Sequence, residues 1–293
     1  MPFFGVVLLK LTPNDPFLIS ETLHSSMEAA GVGGAFVIVV FILLLLKQNR
    51  IDALHVWTAC AFFNMGVLDL YHAIVPVGHL FVWLHSLAHL IGGALFILVW
   101  LPESISKSIV IRRFLIVLSL AVIGFGAWSI TSPEWIPDMI SEGKFTSVAV
   151  NINVIGGIFF LLAAVRFITR YFDNKDFWNS YLFAVLCLLF GFAGILFAIS
   201  ELWNGDWWWW HFLRLLAYTI SVIYLFVRFQ QTNRQLRQEV LDREQATDKL
   251  MQEKSFVEML INVSPIIILV LDIEGRIVRY NSYFEGLTGY QLE

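Results

Sequence analysis

Four short motifs in this sequence carry the side chains and the spacings that metal-binding sites use. They are His24-x-x-x-Glu28, Asp69-x-x-His72, His85-x-x-x-His89 and His211-x-x-Arg214. Residues three or four apart lie on the same face of a helix, so each motif presents its groups together. Imidazole and carboxylate ligands suit zinc, copper, iron or nickel, and carboxylates also orient metal-bound histidines. The motifs therefore indicate metal or cofactor binding, and no catalytic residue is assigned.

The composition places these motifs inside a membrane. The 293-residue chain is 58% hydrophobic and only 14% charged, and its mean hydropathy is +0.73, far above that of a soluble domain. The net charge is −4 and the basic residues are spread over short loops, which argues against a nucleic-acid partner. Cys60 and Cys187 lie in apolar stretches without CxxC spacing and are predicted to be packing residues.

Seven apolar runs are long enough to cross the hydrocarbon core of a bilayer, which needs about 20 residues per helix. The runs are 27–46, 53–74, 79–101, 114–131, 147–166, 178–200 and 208–228. The sequence therefore predicts an all-α integral membrane bundle of seven transmembrane helices over residues 27–228. An extracytoplasmic segment, residues 1–26, precedes the bundle.

The charges of the loops predict the orientation of the bundle. One set of loops carries Lys47, Arg50, Lys107, Arg112, Arg113, Arg166, Arg170 and Lys175. The opposite set carries only Lys10 and Lys144. By the positive-inside rule the N-terminus lies outside and the C-terminus in the cytoplasm.

In this topology the four motifs lie on four different helices, at or within the outer leaflet. Ionisable groups inside a membrane are costly and usually face a partner or a cavity, so the four helices are expected to enclose one site. The predicted ligands are His24, His72, His85, His89 and His211. Glu28, Asp69, Glu201 and Arg214 are predicted as further ligands or as groups that orient them.

The sequence leaves open what this site holds. A transition metal ion (copper, zinc or iron) would bind the imidazoles directly, whereas haem b would take histidines on the two faces of its porphyrin. Arg214 favours haem slightly, because a propionate would pair with it. The histidines could instead only hydrogen-bond between helices. The run Trp207 to Trp210 is interpreted as an interfacial aromatic belt.

Beyond residue 228 the composition changes from apolar to charged. Residues 230–258 contain neither Gly nor Pro, and a partly apolar seam recurs at intervals of three and four residues. This pattern predicts a cytoplasmic signalling coiled coil over residues 229–261, which pairs two copies of the chain as a homodimer. A β-branched run, a turn at Asp272 to Gly275 and an alternating run then predict a hairpin.

Two stretches resemble known families. Asp272-x-x-Gly275-Arg276, with Leu287-Thr288-Gly289-Tyr290, resembles the opening of an α/β PAS sensory domain, so residues 262–293 are expected to be its truncated N-terminal part. His24-x-x-x-Glu28 and the run Gly66 to His72 resemble the third class of bacterial membrane-associated sensor domains, over roughly residues 20–230. That family tends to carry Trp and Arg where this chain has Trp83 and His85 to His89. The ligand bound by this chain is therefore expected to be specific to its branch of the family.

These resemblances imply the transmembrane input domain of a bacterial signal-transduction receptor in the inner (cytoplasmic) membrane. The PAS domain would lead to an output domain in the same chain, a histidine kinase or a diguanylate cyclase or phosphodiesterase. Residues 1–293 would not themselves be an enzyme. Two alternatives remain, a seven-helix zinc-dependent membrane hydrolase and a haem-binding membrane redox protein. The coiled coil and the PAS resemblance favour the receptor.

Overall fold

The computed structural model describes residues 18–173 and 177–290, together with Gly5 and Val7. Most of the predicted segment before residue 18, and Lys10 and Lys175 from the comparison of loop charges, lie outside the described residues. The chain divides into two compact units, Met1–Gln230 and Gln231–Glu293. They are called unit one and unit two below, and each is described by itself.

Unit one is mostly helical. Its helices are α1 (Glu21–Lys47), α2 (His55–Ile74), α3 (His79–Phe96), α4 (Glu103–Ser106), α5 (Ile109–Thr131), α6 (Ser147–Phe172), α7 (Phe177–Phe197) and the first part of α8 (Gly205–Val263). Two short 3₁₀ helices, Ile97–Trp100 and Pro133–Trp135, lie between them. A small antiparallel hairpin pairs β1 (Ile140–Ser141) with β2 (Lys144–Phe145).

Within the described part of the chain, six helices are long and apolar enough to cross a membrane. They are Glu21–Lys47, His79–Trp100, Ile109–Thr131, Ser147–Phe172, Asn179–Phe197 and Gly205–Val263. This number of spans is typical of a multi-pass membrane protein, because in lipid a helix satisfies its own backbone polar groups. The bounds differ slightly from the predicted runs. For example, α1 begins at Glu21 because the Oγ of Ser20 accepts a hydrogen bond from Leu23 N at 3.3 Å and caps the helix.

Helix α2 is as long as a membrane span but is less apolar than the six. It has 20 residues, a length of about 30 Å at 1.5 Å per residue. Its polar side chains Asn64, Asp69 and His72 are all buried, because α2 packs against α1, α3 and α5. The ring of His55 at its start stacks on Phe167 of α6, with centroids 5.9 Å apart.

The two ends of unit one differ in charge. At one end, called the basic end, Asp52 between α1 and α2 forms an ion pair with Arg170 of α6. Its described basic residues are Lys47, Arg50, Lys107, Arg112, Arg113, Arg166 and Arg170. At the opposite end, called the histidine end, Lys144 of β2 forms an ion pair with Glu201 at 3.0 Å.

Glycines allow α6 to approach both α3 and α7 closely. A Cβ atom added at Gly157 would lie 2.8 Å from the carbonyl oxygen of Gly191 on α7. One added at Gly156 would lie 2.9 Å from the carbonyl oxygen of His89 on α3. Small residues that let two backbones approach in this way are typical of helix contacts within membranes.

Unit two continues α8 as far as Val263 and ends in a small α/β segment. Strand β3 (Leu269–Leu271) pairs antiparallel with β4 (Ile277–Tyr280), and α9 (Ser282–Thr288) follows. The predicted hairpin is therefore confirmed, while its assignment to a PAS domain stays a prediction. The pKa of Asp272 lies below its usual range because its carboxylate accepts hydrogen bonds from the backbone N–H and the side chain of Arg276.

Candidate metal centre

Four helices bring ionisable side chains to one level at the histidine end of unit one. They are His24 and Glu28 on α1, Asp69 and His72 on α2, His85 on α3, and His211 and Arg214 on α8. All of them are buried. Buried ionisable groups are stable only when they are paired or bind an ion, so their contacts decide what the cluster can do.

Backbone partners fix the tautomers of two of these histidines. His72 Nδ1 lies 2.7 Å from the carbonyl oxygen of Phe81, and His211 Nδ1 lies 2.8 Å from that of Trp207. A carbonyl oxygen can only accept a hydrogen bond, so each Nδ1 carries the proton and donates it. In the neutral imidazole the Nε2 atom then has a free lone pair, which is the form of histidine that binds metals.

Two other histidines each place an Nε2 atom close to that of His24. His24 Nε2 lies 3.1 Å from His211 Nε2 and 3.4 Å from His72 Nε2. Glu28 Oε1 lies 3.5 Å from His211 Nε2 and 3.8 Å from His24 Nε2. A proton on His24 Nε2 can be donated to only one of the two lone pairs that face it. A cation bound between these acceptors would satisfy all of them together.

The spacing of three of these atoms, His24 Nε2, His211 Nε2 and Glu28 Oε1, fits a tetrahedral metal ion. Metal–nitrogen bonds of about 2.0–2.1 Å at tetrahedral angles set neighbouring ligand atoms about 3.3 Å apart. The three distances among these atoms lie between 3.1 and 3.8 Å, and His72 Nε2 lies 3.4 Å from His24 Nε2. Two trios of ligand atoms also lie within 4.8 Å of one another, His24 with Glu28 and His211, and Glu28 with His72 and His85. These buried groups could hold a metal ion.

Arg214 forms the second half of the cluster. Its Nη2 donates to Asp69 Oδ2 at 2.7 Å, and its Nη1 lies 2.9 Å from His85 Nδ1 and 3.4 Å from Glu28 Oε1. Because a guanidinium only donates, His85 Nδ1 must accept, and its proton therefore lies on Nε2. His85 is thus engaged with Arg214 through the nitrogen that carries its lone pair.

Aromatic rings close the cluster from the histidine end. The ring of His211 stacks on Trp210 with centroids 3.6 Å apart and lies 3.9 Å from Trp207. Phe81 covers His72 at 4.0 Å. Trp207 and Trp210 are only 1% and 2% exposed, so these two do not belong to an interfacial belt, in contrast to the sequence interpretation. The rings hold the imidazoles in place and exclude water.

Two predicted site residues lie apart from the converging atoms. His89 lies one turn along α3 from His85, with its ring 5.2 Å from that of Phe160 and its Nε2 against Gly194. That Nε2 atom has no hydrogen-bond partner among the described residues. Glu201 lies in the connection between α7 and α8, half exposed, and forms the ion pair with Lys144.

Sequence reasoning missed three residues that complete the site. Tyr218 OH lies 3.5 Å from Asp69 Oδ2, and its spacing of four residues from Arg214 was a usable signal. Phe81 and Trp207 contribute backbone carbonyls. No sequence pattern marks a carbonyl as a hydrogen-bond acceptor for a histidine on another helix, although Trp207 precedes His211 by one turn.

The fold and the site together define the class of this protein. It is a helical, multi-pass membrane protein with a buried cluster of histidines and acidic residues that could hold a metal ion. No family model matches the chain, and it matches neither a curated protein nor a solved structure.

Proposed function

We propose that this chain is the transmembrane input domain of a bacterial signalling receptor, and that it senses through a transition metal ion bound at the histidine end. The convergence of His24 Nε2 and His211 Nε2 with Glu28 Oε1, with His72 Nε2 3.4 Å from His24 Nε2, carries this proposal. The proposed ligands are His24, His72, His211 and Glu28. His85, Asp69 and Arg214 position this set and balance its charge.

A metal ion bound directly fits this geometry better than haem does. Two histidines on opposite faces of a haem iron would hold their Nε2 atoms about 4 Å apart, given bonds of about 2.0 Å, with a porphyrin plane between them. His24 Nε2 and His211 Nε2 lie only 3.1 Å apart, with Glu28 Oε1 beside them. The positive charge of Arg214 is also compatible with a nearby metal ion, because Glu28 and Asp69 both pair with Arg214.

The ligand set supports sensing rather than hydrolysis. A catalytic zinc usually has three protein ligands and keeps its fourth position for water. Here the fourth position is within reach of Glu28, and the rings of Trp207, Trp210 and Phe81 cover the histidines. Nitrogen and carboxylate ligands suit zinc, copper and iron, and these three metals are the proposed occupants.

A competition for Glu28 would link the metal to α8. Arg214 Nη1 lies 3.4 Å from Glu28 Oε1, so the carboxylate can serve either the guanidinium or the metal. A metal that takes Glu28 leaves Arg214 paired with Asp69 alone, and Arg214 and His211 both belong to α8. The proposed signal is a shift of α8 between these two arrangements.

The charge of the two ends supports the proposed orientation. The basic end carries Lys47, Lys107, Arg112 and Arg170, and the histidine end carries mainly acidic residues such as Glu201. The positive-inside rule then puts the basic end in the cytoplasm of a bacterial inner membrane and the metal in the outer leaflet. α2, which has the length of a span and packs between α1, α3 and α5, is the proposed seventh transmembrane helix.

Unit two supports a cytoplasmic output. Helix α8 reaches Val263, and the hairpin of β3 and β4 follows it. We assign residues 229–261 to a dimeric coiled coil and residues 262–293 to the start of a PAS domain. A histidine kinase or a cyclic-di-GMP enzyme is the proposed output domain of the same chain, and these residues themselves are not proposed to catalyse a reaction.

Elemental analysis of the detergent-purified protein tests the metal, together with absorption spectra of the oxidised and reduced forms. We expect zinc, copper or iron in a stoichiometric amount and no Soret band. His24→Ala and His211→Ala should each lower metal affinity by at least about 10-fold, because each removes a direct ligand. His79→Ala is the matched control, since His79 lies at the same end but accepts a hydrogen bond from Met139 N instead.

Two results would overturn the proposal. A Soret band that sharpens on reduction would show that the site holds haem and not a bare metal ion. Unchanged metal content in both ligand variants, with folding intact, would leave these histidines as groups that only hydrogen-bond between helices.

A further inference from the structure

A second site lies at the basic end of unit one, far along the bundle from the histidines. A cavity of about 1030 Å³ opens between α1, α2 and α5, beside the short helix α4. This volume is at the upper end of the range for ligand pockets, which is about 300–1,000 Å³. Its body is apolar and includes Leu43, Val56 and Leu115, and Cys60 and Ser119 line it as well.

The mouth of this cavity has an excess of positive charge. Lys47, Lys107 and Arg112 line it together with two carboxylates, Asp52 and Glu103. Both carboxylates are already paired, Asp52 with Arg170 and Glu103 with Lys107 at 2.9 Å. Lys47 and Arg112 have no ion-pair partner in the part of the chain that the structure describes. An occupant of matching chemistry has an anionic head and a long apolar body.

We propose that this cavity binds one anionic phospholipid, with its phosphate between Lys47 and Arg112 and an acyl chain in the apolar body. Basic pockets between membrane helices bind anionic headgroups, with about 1 kcal/mol for each nearby cation. The two unpaired cations and the apolar depth of the cavity provide both parts of this recognition. The lipid site is independent of the metal site, because the cavity and the histidines share no residue.

Native mass spectrometry of the detergent-purified protein tests the proposal, with phosphatidylglycerol as the anionic probe and phosphatidylcholine as the neutral one. We expect phosphatidylglycerol to bind more tightly. Lys47→Gln or Arg112→Gln should each weaken it about 5-fold, and the double variant about 25-fold. Arg113→Gln is the matched control, since Arg113 is the exposed neighbour of Arg112 on α5 but does not line the cavity. It should leave binding within about 2-fold, the level of a screened surface charge.

Three outcomes would overturn the proposal. Equal affinity for the two lipids would show that the head charge is not recognised. An equal loss of phosphatidylglycerol affinity in Arg113→Gln and Arg112→Gln would show that any surface charge acts in the same way. Competition by soluble glycerol phosphate as strong as that by the lipid would exclude a role for the apolar body. An unchanged midpoint of SDS unfolding in the double variant controls for folding, so this test does not depend on the metal.

Discussion

Arg214 balances two buried carboxylates, and its removal should have opposite effects on stability and on metal binding. Arg214→Gln leaves Glu28 and Asp69 buried without their cation, which should destabilise the metal-free protein by about 3–5 kcal/mol. The same change removes the positive charge that competes with the metal for Glu28. Metal affinity should therefore rise about 10-fold or more. An SDS unfolding titration measures the first effect and a competitive metal titration the second.

The double variant Asp69→Asn with Arg214→Gln is the control for this residue pair. If the 2.7 Å ion pair is the main interaction that each substitution removes, the double variant should be less destabilised than the sum of the single variants, by about 1–3 kcal/mol. Strict additivity would contradict the pairing. A lower metal affinity in Arg214→Gln would show that Arg214 holds the ligands in position and does not compete with the metal.

At the level of residues, spacing predicted which side chains meet, and tertiary contacts decided their roles. His24 and Glu28 are four residues apart and do share a face at the cluster. His85 and His89 have the same spacing, but only His85 contacts Arg214 in the cluster, whereas His89 lies against Gly156 and Gly194 of neighbouring helices. The tautomer of His72 depends on a carbonyl that another helix supplies, which spacing alone does not reveal.

At the level of helices, the contact of α6 with α7 depends on glycine. In Gly157→Ala the new methyl group would lie 2.8 Å from the carbonyl oxygen of Gly191 and 3.4 Å from Gly194 Cα. Backbone atoms cannot rotate away, so α6 and α7 must separate, at a cost of about 1–3 kcal/mol. The midpoint of unfolding in an SDS titration should fall accordingly.

Gly124→Ala on α5 is the matched control for this substitution. A Cβ atom at Gly124 would meet nothing within 4 Å apart from its chain neighbours and the backbone of its own helix. Alanine is the better helix former by up to about 1 kcal/mol, so this variant should be neutral or slightly more stable. An equal loss of stability in Gly157→Ala and Gly124→Ala would show that the effect comes from the helix backbone and not from the α6–α7 contact.

Hydropathy predicted the apolar helices well, whereas helix α2 is less apolar than the others. The runs at 147–166 and 178–200 lie within or close to α6 and α7, since both helices are strongly apolar. α2 falls below the apolarity of the other helices because it carries the buried polar groups of the bundle, Asn64, Asp69 and His72.

The β1–β2 hairpin was not predicted. Its turn, Glu142-Gly143, has positive φ angles of 50° and 78°, typical of a tight hairpin turn, but it lies between strands of two residues.

At the scale of the whole molecule, one helix carries groups of the proposed sensor and residues of the proposed coiled coil. α8 contains His211 and Arg214 near its start and continues to Val263. Along residues 229–261 the predicted seam includes Val240, Leu250 and Val257, and each of these side chains is about half exposed or more in the single chain. Apolar side chains at seam spacing on an otherwise charged helix are typical of a surface that pairs with a second copy.

Cysteine cross-linking in membranes tests this pairing directly. In Leu250→Cys the thiol lies on the seam, so mild oxidation should give a disulfide-linked dimer in high yield. Gln252→Cys is the matched control, because residue 252 lies on the opposite face of the heptad. The native thiols of Cys60 and Cys187 are both buried and should not contribute. Equal cross-linking of the two variants would mean random collision, and no cross-linking of either would mean that α8 signals as a single helix.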